Sequence, residues 1–394
     1  MHVLWGLAGA SLLAWIGLLV GRGFFWWPAP RLDPVETALP PDGGAERSVA
    51  AVVPARNEAD VIPRTLPSVL TQDYRGAYSV VLVDDRSEDN TALLALAAAE
   101  SSSAMDRLTV LRGEPLPTEW SGKVWAMQQG AAAASAADAP EFLWFTDADI
   151  FHEPWVLSAL VERAETDGLD LVSTMARLRV DSAWDRLLVP AFVYFFAKLY
   201  PFRFVGDPSR RSAGAAGGCI LVRRRTLEQA GGVAAIATAL IDDCALGRLI
   251  KRTGGRTWLG FSQGVRSVRG YGSLSSVWQM VARSAYTQLG HSPLRLAGTI
   301  LGMVFLYALA PTVCVGGAIA AGFGVPGAVP LAAIGAATWG LMAASFVPML
   351  RHHGVSWGIA PLLPIAGVLY TAMTVSSAWR HRQGRGGAWK GRTY

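Results

Sequence analysis

A chain of 394 residues that is 52% hydrophobic and only 16% charged is too apolar for a fully solvated fold, and it is long enough for two or three domains. The net charge of +5 comes with no nucleic-acid module, which excludes that class of partner. Cys219, Cys244 and Cys314 lie far apart with no metal-ligand spacing, so they read as reduced thiols of a cytoplasmic catalytic domain.

Val3 to Val20 carries no charge and is long enough to span a bilayer. No Lys or Arg precedes it, and Arg22 with Phe24-Phe25-Trp26-Trp27 follows. That is the flank of a retained anchor emerging on the cytoplasmic side, not of a cleaved signal. Residues 1–22 are therefore expected to form an N-terminal transmembrane anchor and 23–47 a Pro-rich linker, with Pro28 to Pro41 its densest part.

From Ser48 short apolar runs alternate with helical stretches. Ser48–Val53, Tyr78–Val83, Leu108–Leu111 and Glu141–Phe145 read as strands, as does Ile220-Leu221-Val222. Val61–Gln72, Asn90–Glu100, Lys123–Ala137 and Trp155–Thr166 read as helices. The alternation predicts an α/β domain over 48–290 with a parallel sheet and helices on both faces. Ligands of such sheets bind beyond the carboxyl ends of the strands. No G-x-G-x-x-G or P-loop is present, which disfavours a dinucleotide dehydrogenase or an ATPase.

Leu187 to Phe196 is apolar but too short to span, with Pro190 inside and Lys198 after it. It reads as an interfacial helix beside the active site or a buried helix of the core. Leu296 to Leu350 is charge-free and broken at Gly324-Val325-Pro326-Gly327, which predicts a two-helix hairpin with Arg295 and Arg351 on the cytoplasmic side. Val355 to Trp379 contains Pro361 and Pro364. Either it spans and leaves the basic tail 380–394 outside, or it is re-entrant and the tail stays inside. Residues 296–379 are thus expected to hold the C-terminal transmembrane helices. Arg203, Arg210, Arg211, Arg223, Arg224 and Arg225 crowd one stretch and read as a solvated basic region or a contact for anionic head groups or a diphosphate.

The chemistry is carried by acids at strand and helix ends. Asp147-Ala148-Asp149 follows the apolar run 142–145, and two such carboxylates facing an incoming diphosphate call for a divalent cation, Mg2+ or Mn2+. Asp149 is the expected principal ligand, with Asp147 toward the metal or the ribose and His152 a lesser candidate. Pro54, leaving the first strand, lacks a donor and should stop the sheet ladder, so that the exposed backbone and Glu58 can receive a base or ribose. Asp84 and Asp85 exceed what helix capping needs and can accept from base N–H groups or ribose hydroxyls. Gly122-Lys123 opens a helix and makes an anion site. Gly217 and Gly218 let backbone approach a sugar closely, or belong to a flexible loop. Asp242 and Asp243 start a later helix; one can cap it and the other can take a proton from an acceptor hydroxyl.

These landmarks, in this order, resemble family 2 glycosyltransferases of the GT-A fold, across roughly Ser48 to Gln288. The resemblance implies a Rossmann-like, mostly parallel cytoplasmic domain between N-terminal and C-terminal transmembrane helices, in a bacterial-type inner membrane. It implies nucleotide contacts at Pro54, Asn57, Glu58, Asp84 and Asp85, a diphosphate contact at Lys123, a metal at Asp147 and Asp149, and a base at Asp243. The family's late Gln-x-x-Arg-Trp motif is only partly matched, by Gln279, Arg283 and Tyr286. Arg283 is then expected near the diphosphate, and Asp242, Gly217, Gly218 and Tyr286 on the acceptor side. The missing Arg-Trp pair argues for transfer of a single sugar. More narrowly, Pro54–Ile62, Ala215–Cys219, Leu240–Leu246 and Met280–Tyr286 are similar to hopanoid-biosynthesis-associated glycosyltransferases. That similarity implies a triterpenoid or related lipid acceptor, and with the residues above the leading expectation is an inverting, metal-dependent transfer from a nucleotide-diphosphate sugar to a lipid hydroxyl. The alternatives are a polyprenyl-phosphate glycosyltransferase and, as a different class, a polysaccharide synthase-transporter.

Overall fold

The computed structural model describes residues 2–34 and 47–386, with the backbone of 388–389 and 392–393. The chain opens with α1 (His2–Gly21) and a short strand β1 (Arg31–Leu32). Then come β2 (Val49–Ala55), α2 (Ile62–Leu70), β3 (Tyr78–Asp84), α3 (Thr91–Ser101), β4 (Leu108–Arg112), α4 (Gly122–Ala137) and β5 (Phe142–Phe145). They are followed by β6 (Ile150–His152), α5 (Val156–Thr166), β7 (Leu171–Arg177), α6 (Ala183–Leu199), α7 (Phe202–Gly206) and β8 (Ile220–Arg223). The domain closes with α8 (Arg224–Gln229), α9 (Asp242–Arg252), β9 (Thr257–Ser267) and α10 (Leu274–Gln288). A C-terminal bundle holds α11 (Pro293–Met303), α12 (Leu309–Gly322), α13 (Ala328–His352) and α14 (Leu363–Arg382), with a π-helical turn, Val304–Ala308, between α11 and α12.

The strands lie in the order β1-β9-β7-β8-β5-β2-β3-β4, with β6 also paired to β9. All neighbours on the main path are parallel except β8, which is antiparallel to both β5 and β7. Side chains alternate across this sheet. Ala51, Val53, Val80 and Leu82 face a core closed by α2, α3 and α5. Ala50, Val52, Val81 and Val83 face a second core under α4 and α9. Burial on both faces is why these strands read as near-continuous apolar runs. Each fully buried Val or Leu stabilises by roughly 1.5–3 kcal/mol. Gly130 lets α4 lie close on the sheet, since a Cβ there would sit 2.4 Å from Val52 Cγ1.

The sequence placed the end of the ladder at Pro54, and the outcome is one-sided. β2 stays paired to β3 through Ala55, whose carbonyl accepts from the N–H of Asp85 at 2.8 Å. On the other side pairing with β5 ends at Val52 and Phe145. The Val52 carbonyl points to that side, accepting from Thr146, so by alternation Pro54 faces the same side beyond the end of β5, where no donor is needed.

Among the described residues five helical segments are long and apolar enough to cross a membrane: His2–Gly21, Ala183–Gly206, Pro293–Gly322, Ala328–His352 and Trp357–Arg382. The anchor and the hairpin broken at 324–327 lie where the sequence placed them, and Gly327 takes the left-handed conformation, φ 79°, just before α13. The run with Pro361 and Pro364 is a short 3-10 turn leading into α14, long enough as a whole to span. α6 departs from the expectation of a short segment. Pro190 removes one helical donor, yet the helix runs on to Leu199 because both its sides are packed. Its Tyr194 and Leu188 share a core with Phe346, Met349 and Met373 of the bundle.

Two further expectations change. The start of the linker is not loose: β1 adds to the sheet edge beside β9, and Phe261 N donates to the Pro30 carbonyl at 2.9 Å. Residues 35–46 of the linker, and Lys390 of the tail, lie outside the described residues. The arginine-rich stretch also disperses. Arg223 pairs with Glu141 and Glu165, Arg224 with Glu228, and Arg203 lies over the Phe24 ring.

Candidate active site

A cavity of about 370 Å³ opens beyond the carboxyl ends of β2 and β5. The loop from β5 to β6 supplies Asp147 and Asp149, the first turn of α4 supplies Lys123, and the first turn of α9 supplies Asp242 and Asp243. Gly217 and Gly218, on the way into β8, form the floor, and Pro54 and Glu58 come from the end of β2. Arg283 of α10 also lines it, with no ion-pair or hydrogen-bond partner among the described residues. The opposite wall is apolar: Met175, Leu178, and Phe192 and Phe196 of α6.

Lys123 is the electrostatic hub. Its Nζ lies 2.7 Å from Asp147 Oδ1 and 2.9 Å from Asp242 Oδ2. Burial would lower the Lys123 pKa, but the two carboxylates outweigh it and hold the ammonium charged well above its ordinary range. Asp147 is pushed up by burial, with Lys123 pulling it back and Asp149 and Asp242 pushing it further. The countercharge that the sequence assigned to a cation is thus partly built into the chain.

Asp243 sits differently. Its Oδ2 accepts from the N–H of Gly217 at 2.9 Å and its Oδ1 from the N–H of Cys244 at 2.6 Å. Burial first, then the neighbouring Asp242, raise its pKa to about 6, against Lys123 and the two N–H donors. A carboxyl titrating there is suited to general-base work near neutrality. A Cβ at Gly217 would crowd the lysine, standing 3.2 Å from Lys123 Nζ and 3.5 Å from both Asp147 Oδ2 and Asp243 Oδ2.

Asp149 Oδ2 accepts from Ser267 Oγ at 2.9 Å. Asp147 Oδ2 and Asp149 Oδ1 have no hydrogen-bond partner among the described residues. No group of three or more His, Cys, Asp or Glu side chains among those residues is placed to enclose a metal. A Mg2+-type ion takes one or two carboxylates and completes its shell with substrate phosphates and water, so a carboxylate pair with one open oxygen on each fits such an ion.

Asp84 and Asp85 do not line this cavity. Asp84 lines a second, open pocket of about 600 Å³ with Arg56, Arg86 and Arg112, and its Oδ1 accepts from Ser87 N at 2.9 Å. Asp85 is fully buried and lines neither hollow. The two nucleotide-type motifs are nonetheless laced together. Asn57 N donates to Ser87 Oγ (3.0 Å), Glu58 N to Thr91 Oγ1 (2.8 Å), and Glu88 N to Asn57 Oδ1 (2.8 Å). Asn57 adopts φ 52° to do this, a conformation Asn tolerates well.

Three candidates are spent on structure. Tyr286 is buried against α14: its hydroxyl donates to the His291 carbonyl at 2.8 Å and its ring packs edge-on to His381, away from the cavity. It sits one turn beyond Arg283, and that turn carries it past the rim. Gln279 is turned outward, donating toward Ser275 Oγ at 3.4 Å. His152 bonds Thr146 Oγ1 at 2.8 Å and packs on Trp144; burial drops its pKa to about 3, so it stays a neutral core residue. The sequence reading missed Tyr271, Ser267 and Arg269, all in the cavity wall. Arg269 Nη2 meets Glu58 Oε2 at 2.5 Å and closes the far rim. The aromatic pair Phe192 and Phe196, spaced i,i+4, was legible as one helix face.

Residues 50–231 match the family model described as glycosyl transferase family 2. Among curated proteins, the undecaprenyl-phosphate 4-deoxy-4-formamido-L-arabinose transferase of Pseudomonas aeruginosa (strain LESB58) is 29% identical over 188 residues, 46% of this chain and 48% of that protein. Glycosyltransferase AglE of Haloferax volcanii is 32% identical over 126 residues, 32% of this chain and 38% of that protein. The chain thus spans half or less of the length of these curated relatives. Among solved structures, the mannosyltransferase PcManGT of Pyrobaculum calidifontis, in complex with GDP-Man and Mn2+, superimposes with a TM-score of 0.54 over 96% of this chain and 99% of that one, at 18% identity. That likeness speaks to fold. Residues 50–231 are therefore similar to glycosyl transferase family 2, and they lie on a mixed α/β fold of GT-A type with long apolar helices at both ends.

Proposed function

We propose that the protein transfers a single sugar from a nucleotide-diphosphate sugar to the hydroxyl of a membrane lipid, with inversion at the anomeric carbon. One observation carries the reading: the cavity that gathers Lys123, Asp147, Asp149, Asp242 and Asp243 has as its opposite wall an apolar helix, α6, that belongs equally to the membrane-type bundle. A polar donor and an apolar acceptor can meet there without the acceptor leaving lipid.

The donor lies across the strand ends, its nucleoside toward Pro54, Glu58 and the pocket at Asp84, over the loop held by Asp85. Its diphosphate lies toward Arg283 and the first turn of α4, with Lys123 and Asp147 beneath. Asp243 accepts the proton of the lipid hydroxyl. The oxygen then forms its bond to the anomeric carbon as the bond from that carbon to the diphosphate oxygen breaks, and the electron pair leaves with the diphosphate. A divalent cation at Asp149 and Asp147 would neutralise charge on the departing diphosphate. On the acceptor side the Gly217 N–H orients Asp243 and the charge of Asp242 raises its basicity, while Gly218 leaves room on the floor, where a Cβ would stand 3.2 Å from Ile150 Cδ1. The resemblance to hopanoid-associated enzymes makes a polycyclic triterpenoid alcohol one form of the acceptor.

The test is mass spectrometry of lipids from membranes with and without the protein, alongside Asp243→Asn. Loss of one glycosylated lipid in both the deletion and the variant supports the reading. Unchanged lipids, with no turnover of any nucleotide sugar by the purified protein, overturn it. The printed name of the Pseudomonas relative favours a second reading, a polyprenyl phosphate as acceptor. That acceptor is already ionised and needs no base, so full activity in Asp243→Asn would select it.

A further inference from the structure

Outside the cavity, positive charge is concentrated in a pocket of about 440 Å³ lined by Arg64, Arg177, Arg179, Arg266 and His353, with no acidic residue in its lining. Arg64 comes from α2, Arg177 from the end of β7, Arg266 from β9, and His353 from the C-cap of α13. The pocket adjoins the main cavity, since Leu178 and Ser267 line both.

The arginines are only partly compensated. Arg266 pairs with Glu153 and Arg179 with Asp181, both outside the lining. Arg177 has only the neutral Gln263 Oε1, at 3.1 Å, and Arg64 has no ion-pair partner among the described residues. Arg177 and Arg266 are also direct partners across the β7–β9 ladder, where the pairing is irregular. Like charges placed opposite each other are unfavourable unless an anion lies between them. At the inner end His353 is only 8% exposed. Its Nδ1 meets the Met349 carbonyl at 3.0 Å, which can only accept, so Nδ1 carries the ring proton. Nε2 is left as a buried acceptor without a partner.

We infer that this pocket binds the phosphate group of an anionic membrane lipid. Forked guanidinium groups match phosphate oxygens in pairs. A protonated phosphate oxygen supplies the donor that His353 Nε2 lacks. The pocket sits where α13, a helix able to cross a bilayer, meets the sheet domain, which is the level of lipid head groups. The inference rests on the arginines and His353, not on the sugar-transfer reading, and the two are read by separate measurements.

The test uses the full-length protein in phosphatidylcholine nanodiscs, titrated with fluorescent phosphatidic acid, a phosphomonoester lipid. Wild type should bind it, and Arg64→Gln/Arg177→Gln should bind about tenfold more weakly, as loss of charge-assisted hydrogen bonds predicts. Arg64→Lys/Arg177→Lys keeps the charge but loses the fork, and should fall between the two. It is also the variant to read if the glutamine pair does not fold. Equal binding by wild type and either folded variant overturns the site. Inorganic phosphate that displaces the lipid at equal concentration overturns the lipid as the source and assigns the pocket to free phosphate.

Discussion

The backbone N–H of Gly217 holds Asp243 Oδ2 at 2.9 Å, and the same glycine leaves the gap in which Lys123 Nζ reaches Asp147 and Asp242. One residue therefore orients the proposed base and makes room for its electrostatic neighbours. Gly217→Ala puts a methyl 3.2 Å from Lys123 Nζ. The lysine can give way, so stability should change by less than about 1 kcal/mol while turnover falls about tenfold through misplacement of Asp243. Thermal unfolding and steady-state kinetics on one preparation separate the two effects.

Asp243→Asn should lower turnover about a thousandfold, within the range of a lost general base, with donor affinity retained. In wild type the rate should rise with pH through about 6 and then level off, since only the ionised carboxyl accepts a proton. A rate flat from pH 5 to pH 8 in wild type removes the residue from the reaction.

Stability should run the other way. The folded pKa of Asp243 lies above its ordinary 3.8, so folding favours the protonated form. That contribution is fully present below about pH 4 and is lost as pH rises through about 6. Asp243→Asn should thus lose less stability than wild type between pH 5 and pH 8, which melting curves at the two pH values will show.

Lys123→Met leaves Asp147 and Asp242 facing each other in a half-buried site. Unfolding free energy should drop by about 1–2 kcal/mol, less than for a fully buried ion pair broken from one side because solvent screens the exposed carboxylate. Mn2+ should then raise the melting temperature more in the variant than in wild type, because a cation replaces the missing ammonium. Equal shifts in the two proteins would place the ion away from Asp147.

Chelation should abolish sugar transfer and added Mn2+ should restore it. Asp149→Ala should raise the Mn2+ concentration needed for half-restoration about tenfold or more. Activity indifferent to chelator assigns all neutralisation of the diphosphate to Lys123 and Arg283.

The sheet and its acids were readable because both follow from local rules. β2, β3 and β5 are apolar on both faces, and strand ends in a parallel sheet are where polar side chains must emerge. β7 and β9 were not expected, for a reason visible in their partners. In β9, Gly260 and Gly264 interrupt the pattern because Trp258 and Trp155 cover them, a tertiary arrangement no local window contains. Tyr286 failed similarly: position in a motif did not reveal that α14 lies where the cavity would have continued. Lys123 was legible as a cation at a helix start. Its partners were not, since Asp242 comes from a distant helix.

α6 stands between two machines that are usually separate. Tyr370 of α14 donates to the Leu188 carbonyl at 2.8 Å, and Tyr194 and Ser345 of α13 share a hydrogen bond of 2.7 Å. Phe192, one turn on from Leu188, and Phe196, two residues on from Tyr194, line the cavity opposite the acids. A bilayer that thins or thickens changes the tilt of long helices at small energetic cost. On the proposed reading, such a tilt passed through α6 would shift the aromatic wall itself, and the width of the slot would then follow the thickness of the surrounding bilayer.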